Sequence, residues 1–186
     1  MEKYKILVLS DTHGDLTKVR HISKIVENID MVVHCGDGFD DGIEIKEIFK
    51  VPTVAVGGNC DERGDNYQVV ELGQVRLFIT HGHEYNVNYT LGPVMYAAME
   101  NQCDVACFGH THLPACEKVE DVLILNPGSL SRPKDGTGGS YGIIIIKDGD
   151  VTGHVVYYDT VIAGADGEKV KETGKISQLL NYSDRF

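Results

Sequence analysis

Short apolar runs, each stopped by a polar turn, recur along the chain. Residues 6–9 run into Ser10-Asp11-Thr12-His13, and 31–33 into His34-Cys35-Gly36-Asp37. Residues 54–56 run into Gly57-Gly58-Asn59-Cys60-Asp61, and 75–79 into Thr80-His81-Gly82-His83. Residues 105–108 precede Gly109-His110-Thr111-His112, and 122–125 precede Asn126-Pro127-Gly128-Ser129. Runs this short, bounded by turn residues, read as strands buried on both faces. Leu16, Val19, Ile22 and Val26 recur at helical spacing, which predicts a helix over 16–28 with Asp15 as its N-cap. A shorter helix is predicted over 41–49, with Ile45, Ile48 and Phe49 facing inward. Pro93 opens a third, carrying Val94, Met95, Ala98 and Met99.

The order strand, helix, strand, helix, strand implies right-handed parallel crossovers in the first third of the chain. The pattern then changes. Residues 67–72 and 75–80 form a hairpin candidate around Gly73-Gln74, and strands follow near 117–119 and 122–125. The last predicted hairpin pairs 141–147 with 151–159 across Asp148-Gly149. A parallel start followed by hairpins predicts an α/β fold with two mixed sheets packed together and helices outside. At 186 residues the chain is the size of one domain. Residues 1–162 carry the pattern. Residues 163–186 form a polar tail whose apolar cluster is Ile176, Leu179 and Leu180. That tail is expected to pack with the same domain or to stay mobile.

Composition narrows the function. Apolar content of 42% supplies a core. A net charge of −11 and a pI near 5.1 argue against a protein that grips long nucleic acid, which needs a basic surface. No apolar run is long enough to span a bilayer, so no membrane contact is expected. The first residues run straight into a strand, which leaves no room for a signal peptide. Five cysteines without paired spacing read as reduced thiols. Together these predict a cytoplasmic protein.

The candidate chemistry lies past the apolar runs. Alpha/beta sheets place ligands at the carboxyl ends of their strands. Asp11, His13, Asp37, Asn59, His81, His110 and His112 all fall there. The set offers nitrogen and oxygen donors and no thiolate, which suits borderline divalent ions. There are too many donors for one ion. Two ions about 3.5–4 Å apart, sharing a carboxylate, would use them all and would favour hydrolysis of a phosphoester.

These blocks resemble the calcineurin-like metallophosphoesterases. That family's Asp-x-His, Gly-Asp, Gly-Asn, lone His and Gly-His-x-His blocks read here as Asp11-Thr12-His13, Gly36-Asp37, Gly58-Asn59-Cys60-Asp61, His81 and Gly109-His110-Thr111-His112. All five occur in order. The likeness is closest to the small single-domain bacterial and archaeal phosphodiesterases, which share Gly-Asn-Cys-Asp, His-Gly-His and Asn-Pro-Gly-Ser. The resemblance implies a four-layer αββα sandwich. It implies that Asp11, His13 and His112 hold a first metal, that Asn59, His81 and His110 hold a second, and that Asp37 bridges. The expected ions are Mn2+ first, with Ni2+, Fe, Zn2+ or Co2+ as alternatives. The expected reaction is attack of a metal-bound hydroxide on a small or activated phosphodiester, with a homodimer as the implied assembly. Asp37, Asn59, His81 and His83 make the expected catalytic set, although His83 also reads as a surface or supporting residue. The alternatives are a phosphomonoesterase or a non-catalytic scaffold, since one subunit of the retromer sorting coat has this fold and works through protein contacts.

One position departs from the family. Many members carry His after the block's Asn, where it serves the leaving group. Here the residue is Cys60, whose ordinary thiol pKa of about 8.5 makes it a poor proton donor to an alkoxide. Cys60 reads as a buried small residue, and Asp61 as a residue that orients a ligand or ends a turn. Asn126-Pro127-Gly128-Ser129 reads as a turn closing one side of the cleft, and Arg132 and Lys134 as solvated loop charges. His34 and Cys35 read as core strand residues.

Overall fold

The computed structural model describes residues 2–165. It contains two five-stranded mixed sheets packed face to face with helices outside, the four-layer arrangement expected. The first sheet has the order β10-β9-β1-β2-β3. Its strands are β1 (Lys3–Leu9), β2 (Met31–His34), β3 (Thr53–Ala55), β9 (Ser140–Lys147) and β10 (Asp150–Tyr157). The second has the order β4-β5-β6-β8-β7. It contains β4 (Tyr67–Leu72), β5 (Val75–Thr80), β6 (Val105–Cys107), β7 (Pro114–Val119) and β8 (Val122–Pro127). β1, β2 and β3 are parallel, as are β5, β6 and β8. Their carboxyl ends therefore share a side.

Strand alternation builds the layers. On β1, Ile6 and Val8 turn toward the second sheet and meet Leu77, Ile79, Leu125 and Ile144 in the inter-sheet core. Leu7 and Leu9 turn the other way, onto Val19 and Ile22 of α1 (Thr17–Ile22) and Ile45 of α2 (Asp41–Phe49). The second sheet repeats the scheme with Phe78, Ala106 and Ile124 against Val94, Met95 and Ala98 of α3 (Gly92–Glu100). Because β1 is covered on both faces, its apolar run is unbroken rather than alternating. All four of residues 6–9 are at most 1% exposed, each worth roughly 1.5–3 kcal/mol of burial.

The structure departs from the predicted elements in four places. Helix α1 stops at Ile22 instead of near Asn28. Its last bonds tighten to Lys24 N–H on His21 O and Ile25 N–H on Ile22 O. The chain must then return Asp30 to β1, where Asp30 N–H bonds Lys5 O and the Asp30 carboxylate accepts Lys5 N–H. Val26 and Ile29 still pack on the core as loop residues. Asp15 is not the N-cap, which is Leu16, but its carboxylate accepts the Thr17 N–H. β7 begins at Pro114, ahead of the predicted Glu117. β10 ends at Tyr157, and α4 (Tyr158–Ala165) takes over where a strand to Asp159 is predicted. The loop before β9 causes that switch: Gly139 O accepts Tyr158 N–H, and the Asp159 carboxylate accepts Gly138 N–H. Helix α4 runs through residue 162. The remainder of the polar tail, with Ile176, Leu179 and Leu180, lies outside the described residues. No described helix is long and apolar enough to cross a membrane.

Candidate metal centre

The turns after β1, β2 and β3 meet those after β5, β6 and β8 at one edge of the inter-sheet core. Backbone bonds knit them together. Asp11 N–H donates to Gly36 O (3.0 Å) and His13 N–H to Asp37 O (2.9 Å). Gly109 N–H donates to His81 O (3.0 Å). The approach is close. A Cβ on Gly36, which sits at φ +87°, would lie 2.8 Å from the His81 side chain, so only glycine fits there.

Asp11, His13, Asp37, His110 and His112 all adopt left-handed backbone, with φ between 48° and 68°. Such conformations cost roughly 1–3 kcal/mol each in non-glycine residues and persist only where surrounding contacts over-determine them. Here those contacts converge on Asp11. Its carbonyl accepts both Ser129 Oγ (2.9 Å) and Ser131 Oγ (2.8 Å). Its Oδ2 accepts Ser10 Oγ (2.5 Å) and His110 N–H (3.0 Å).

Side-chain acceptors face one another at the centre. His81 Nδ1 lies 2.7 Å from Cys35 O, and His112 Nδ1 lies 2.6 Å from Arg132 O. A carbonyl only accepts, so each Nδ1 carries the proton and each Nε2 presents a lone pair. His112 Nε2 faces Asp11 Oδ1 at 3.2 Å and His13 Nε2 at 3.4 Å. His81 Nε2 faces Asn59 Oδ1 at 3.1 Å, His110 Nδ1 at 3.3 Å and Asp37 Oδ1 at 3.4 Å. Asp11 Oδ1 is buried and has no hydrogen-bond partner. Opposed acceptors and an orphaned carboxylate oxygen fit a bound cation.

The titration behaviour agrees. Burial works to lower the His81 pKa, but the Asp37 and Asp11 carboxylates outweigh it and the pKa is raised. The Asp11 carboxylate raises that of His112 against partial burial. Burial pushes His13 and His110 down. Burial would raise Asp37, yet the His81 ring and the Cys60 N–H hold it well below the usual carboxylate range.

The expected ligands therefore come together. Asp11, His13 and His112 offer atoms within 4.8 Å of one another, and so do Asp11, Asp37 and His81. Asn59 and His110 flank the second group through His81. Asp37 also groups with His13 and Cys60, so Asp37 and Asp11 each belong to two groups. Asp37 stands between His13 Nε2 (3.8 Å from Oδ2) and His81 Nε2 (3.4 Å from Oδ1). His83 sits in a short 3₁₀ turn (His83–Tyr85), its ring 5.4 Å from that of His81 and 6.2 Å from that of His110. It forms no part of the cleft wall. Cys60, expected to be buried, is instead exposed at the cleft, because the turn that bonds its N–H to Asp37 Oδ1 at 2.8 Å faces the opening. The Asp37 side chain raises its thiol pKa first, and slight burial adds to this. His34 and Cys35 are core residues, as expected.

Supporting residues hold the ligand loops from behind. Asp61 accepts the N–H groups of Gly38 (3.0 Å), Phe39 (3.1 Å) and Gly58 (2.8 Å), which fixes the loops on either side of Asp37. Asn126 donates to Gly109 O and Thr111 Oγ1, both at 3.0 Å, and holds the His110–His112 turn. The Asn-Pro-Gly-Ser block is thus a bracket for two ligand loops. Ser10 and Ser131 carry no sequence signal beyond adjacency to such blocks. Arg132 and Lys134, read as solvated loop charges, are exposed and line the cleft.

Residues 4–149 match the calcineurin-like phosphoesterase superfamily domain. The chain is 34% identical over 157 residues to the probable metallophosphoesterase YsnB of Bacillus subtilis, covering 83% of this chain and 90% of that protein. It is 32% identical over 184 residues to the phosphodiesterase YfcE of Escherichia coli K12, covering 85% and 95%. The crystal structure of a conserved Streptococcus pneumoniae protein described as a predicted phosphoesterase superposes with a TM-score of 0.72. That pair shares 29% identity over 86% of this chain and 92% of that one. The chain belongs to the calcineurin-like phosphoesterase superfamily, a group of phosphoric ester hydrolases.

Proposed function

We propose that the chain is a two-metal-dependent phosphodiesterase acting on small or activated diesters. The observation that carries this is the pair of ligand clusters meeting at Asp11 and Asp37, with the buried Asp11 Oδ1 left without a hydrogen-bond partner. Asp11, His13 and His112 would hold one ion. Asn59, His81 and His110 would hold the other, with Asp37 between. Two divalent cations, Mn2+ first on the nitrogen and oxygen donor set, would neutralise charge on a phosphoryl oxygen and acidify water near neutral pH. The relative YfcE is named a phosphodiesterase, which favours a diester over a monoester.

The chain's own groups do the rest. The Cys35 and Arg132 carbonyls fix the ring orientation of His81 and His112. Arg132 stands on the wall beside His13 and offers two parallel donors to a phosphoryl group. His83 lies one ring back from the cleft, beside His81 and His110. Cys60 is a weak acid whose pKa is raised, so a good leaving group suits the site better than an alkoxide.

Hydrolysis of bis-p-nitrophenyl phosphate by chelator-stripped protein, with and without Mn2+ and alongside the monoester p-nitrophenyl phosphate, tests this. Diester turnover that needs metal is the expected result. Monoester turnover alone makes the protein a phosphatase. No turnover on either, with metal bound, sinks the hydrolytic reading.

A further inference from the structure

The cleft over the ligands has two lobes that share His13, Asp37, Cys60 and Arg132. The larger, about 500 Å³, continues along Pro133 and Lys134. The smaller, about 300 Å³, runs past Asp40, Asp41 and Asp61. One lobe thus ends on a cation and the other on carboxylates.

The side chain of Lys134 is exposed, but the backbone that carries it is pinned. His112 grips the backbone around it at two points: Arg132 O accepts His112 Nδ1–H, and Lys134 N–H donates to His112 O at 3.3 Å. Arg132 N–H is tied to Ser129 Oγ at 2.9 Å, and Pro133 fixes φ between the two cations. Among the described residues, the arginine and lysine ion pairs are Arg20–Glu44, Arg63–Asp40 and Arg76–Glu71. Arg132 and Lys134 have no such partner, in a chain of net charge −11 where acids abound. Both cations line the larger lobe beside His13, His110 and His112.

We propose that Lys134 binds a second anionic group, a phosphate or carboxylate, carried on one arm of the substrate diester. The clash of that group with Asp41 and Asp61 in the smaller lobe then sets a single orientation of the diester in the cleft. The inference rests on the diesterase reading above and deepens it: the preferred substrate is a diester with one anionic arm and one neutral, polar arm.

The test uses two p-nitrophenyl phosphodiesters whose second arms end in a carboxylate or in the isosteric carboxamide, with the Mn2+-loaded full chain. The ratio of their kcat/KM values is the readout. We expect the carboxylate to be favoured roughly three- to tenfold at low ionic strength, the range for one charge-assisted contact in a partly solvated site. Added salt should erode the preference. Lys134→Gln should bring the ratio to about one, and Lys134→Glu should reverse it. Lys118→Gln, an exposed cation on β7, should keep the wild-type ratio. Turnover without preference, or a preference that survives Lys134→Gln, overturns this proposal while leaving the diesterase intact. No diester turnover at all, with metal bound, overturns both.

Discussion

His81 Nδ1 lies 2.7 Å from the main-chain oxygen of Cys35, so a ring at the end of β5 is oriented by the strand end of the opposite sheet. This bond selects the tautomer that leaves Nε2 free toward Asn59 and Asp37. Replacing His81 by Ala should reduce bound metal from two ions toward one. Diester hydrolysis should fall by more than about 100-fold, since even partners one step removed from a metal cost 10–100-fold. Metal analysis alongside rate measurement checks this. Two retained ions would remove His81 from the ligand set.

Ser129 is fully buried and serves two masters. It donates to Asp11 O and accepts Arg132 N–H, both at 2.9 Å. Ser129→Ala should weaken Mn2+ binding about tenfold while lowering stability by roughly 1–3 kcal/mol, the penalty for stranding a buried polar group. Ser131 still holds Asp11 O, which keeps the loss at the lower end. A titration showing unchanged metal affinity would mean that this bracket is purely structural.

Gly58 lies against Asp37 from the β3 side. A Cβ there would sit 3.0 Å from Asp37 Cγ and closer still to its Oδ1. Gly58→Ala must push Asp37 off its position, so metal-dependent activity should fall by at least an order of magnitude. Asp11→Asn serves as the benchmark for a lost carboxylate. If Gly58→Ala retains full activity, Asp37 has room that the packing does not show.

His34 gives the metal-free protein a pH dependence. It is fully buried, and burial pushes its pKa down to about 4, with nearby carboxylates opposing only in part. The unfolded chain takes up a proton at about 6.5. The depressed folded value means that stability is present in full above about 6.5. It is then lost as pH falls toward 4, where the folded ring also titrates. The expected loss is roughly 2–4 kcal/mol across that window. Urea melts of stripped wild-type and His34→Asn protein compare the slopes. Parallel curves would falsify the assignment.

Cys60→His introduces a group that titrates near neutrality at a position where the thiol is a poor acid. The variant should raise turnover of diesters with poor leaving groups relative to p-nitrophenyl esters. An unchanged ratio between the two would show that no residue at this position delivers the proton.

Much of this architecture is legible in the sequence because each strand ends where its chemistry begins. The unbroken run at 6–9 and the Asp-x-His after it mark both a doubly covered strand and a ligand turn. The hairpin at Gly73 and the one at Asp148-Gly149 are equally plain, both with left-handed glycines. What escaped had a tertiary cause. The early end of α1 is set by the bond between Asp30 and Lys5, and the start of α4 by Gly138 and Gly139, none of which is visible to local periodicity. The bracing of the Asp11 carbonyl by Ser129 and Ser131, and the placing of Lys134 on the cleft wall, depend on how Ser129 and His112 fold one loop onto another.

The whole second sheet is inserted between β3 and β9, and β1 pairs with β9 from Lys3↔Lys147 to Val8↔Gly142. Pairing of such distant segments delays folding, because the loop must close before the contacts reward it. During synthesis, β1 therefore waits with one apolar edge bare until the residues of β9 emerge. A bare edge of this kind templates aggregation. Substitutions in β9, far from any ligand, should thus register as poor yield of soluble protein, with the molecules that do mature working at full rate.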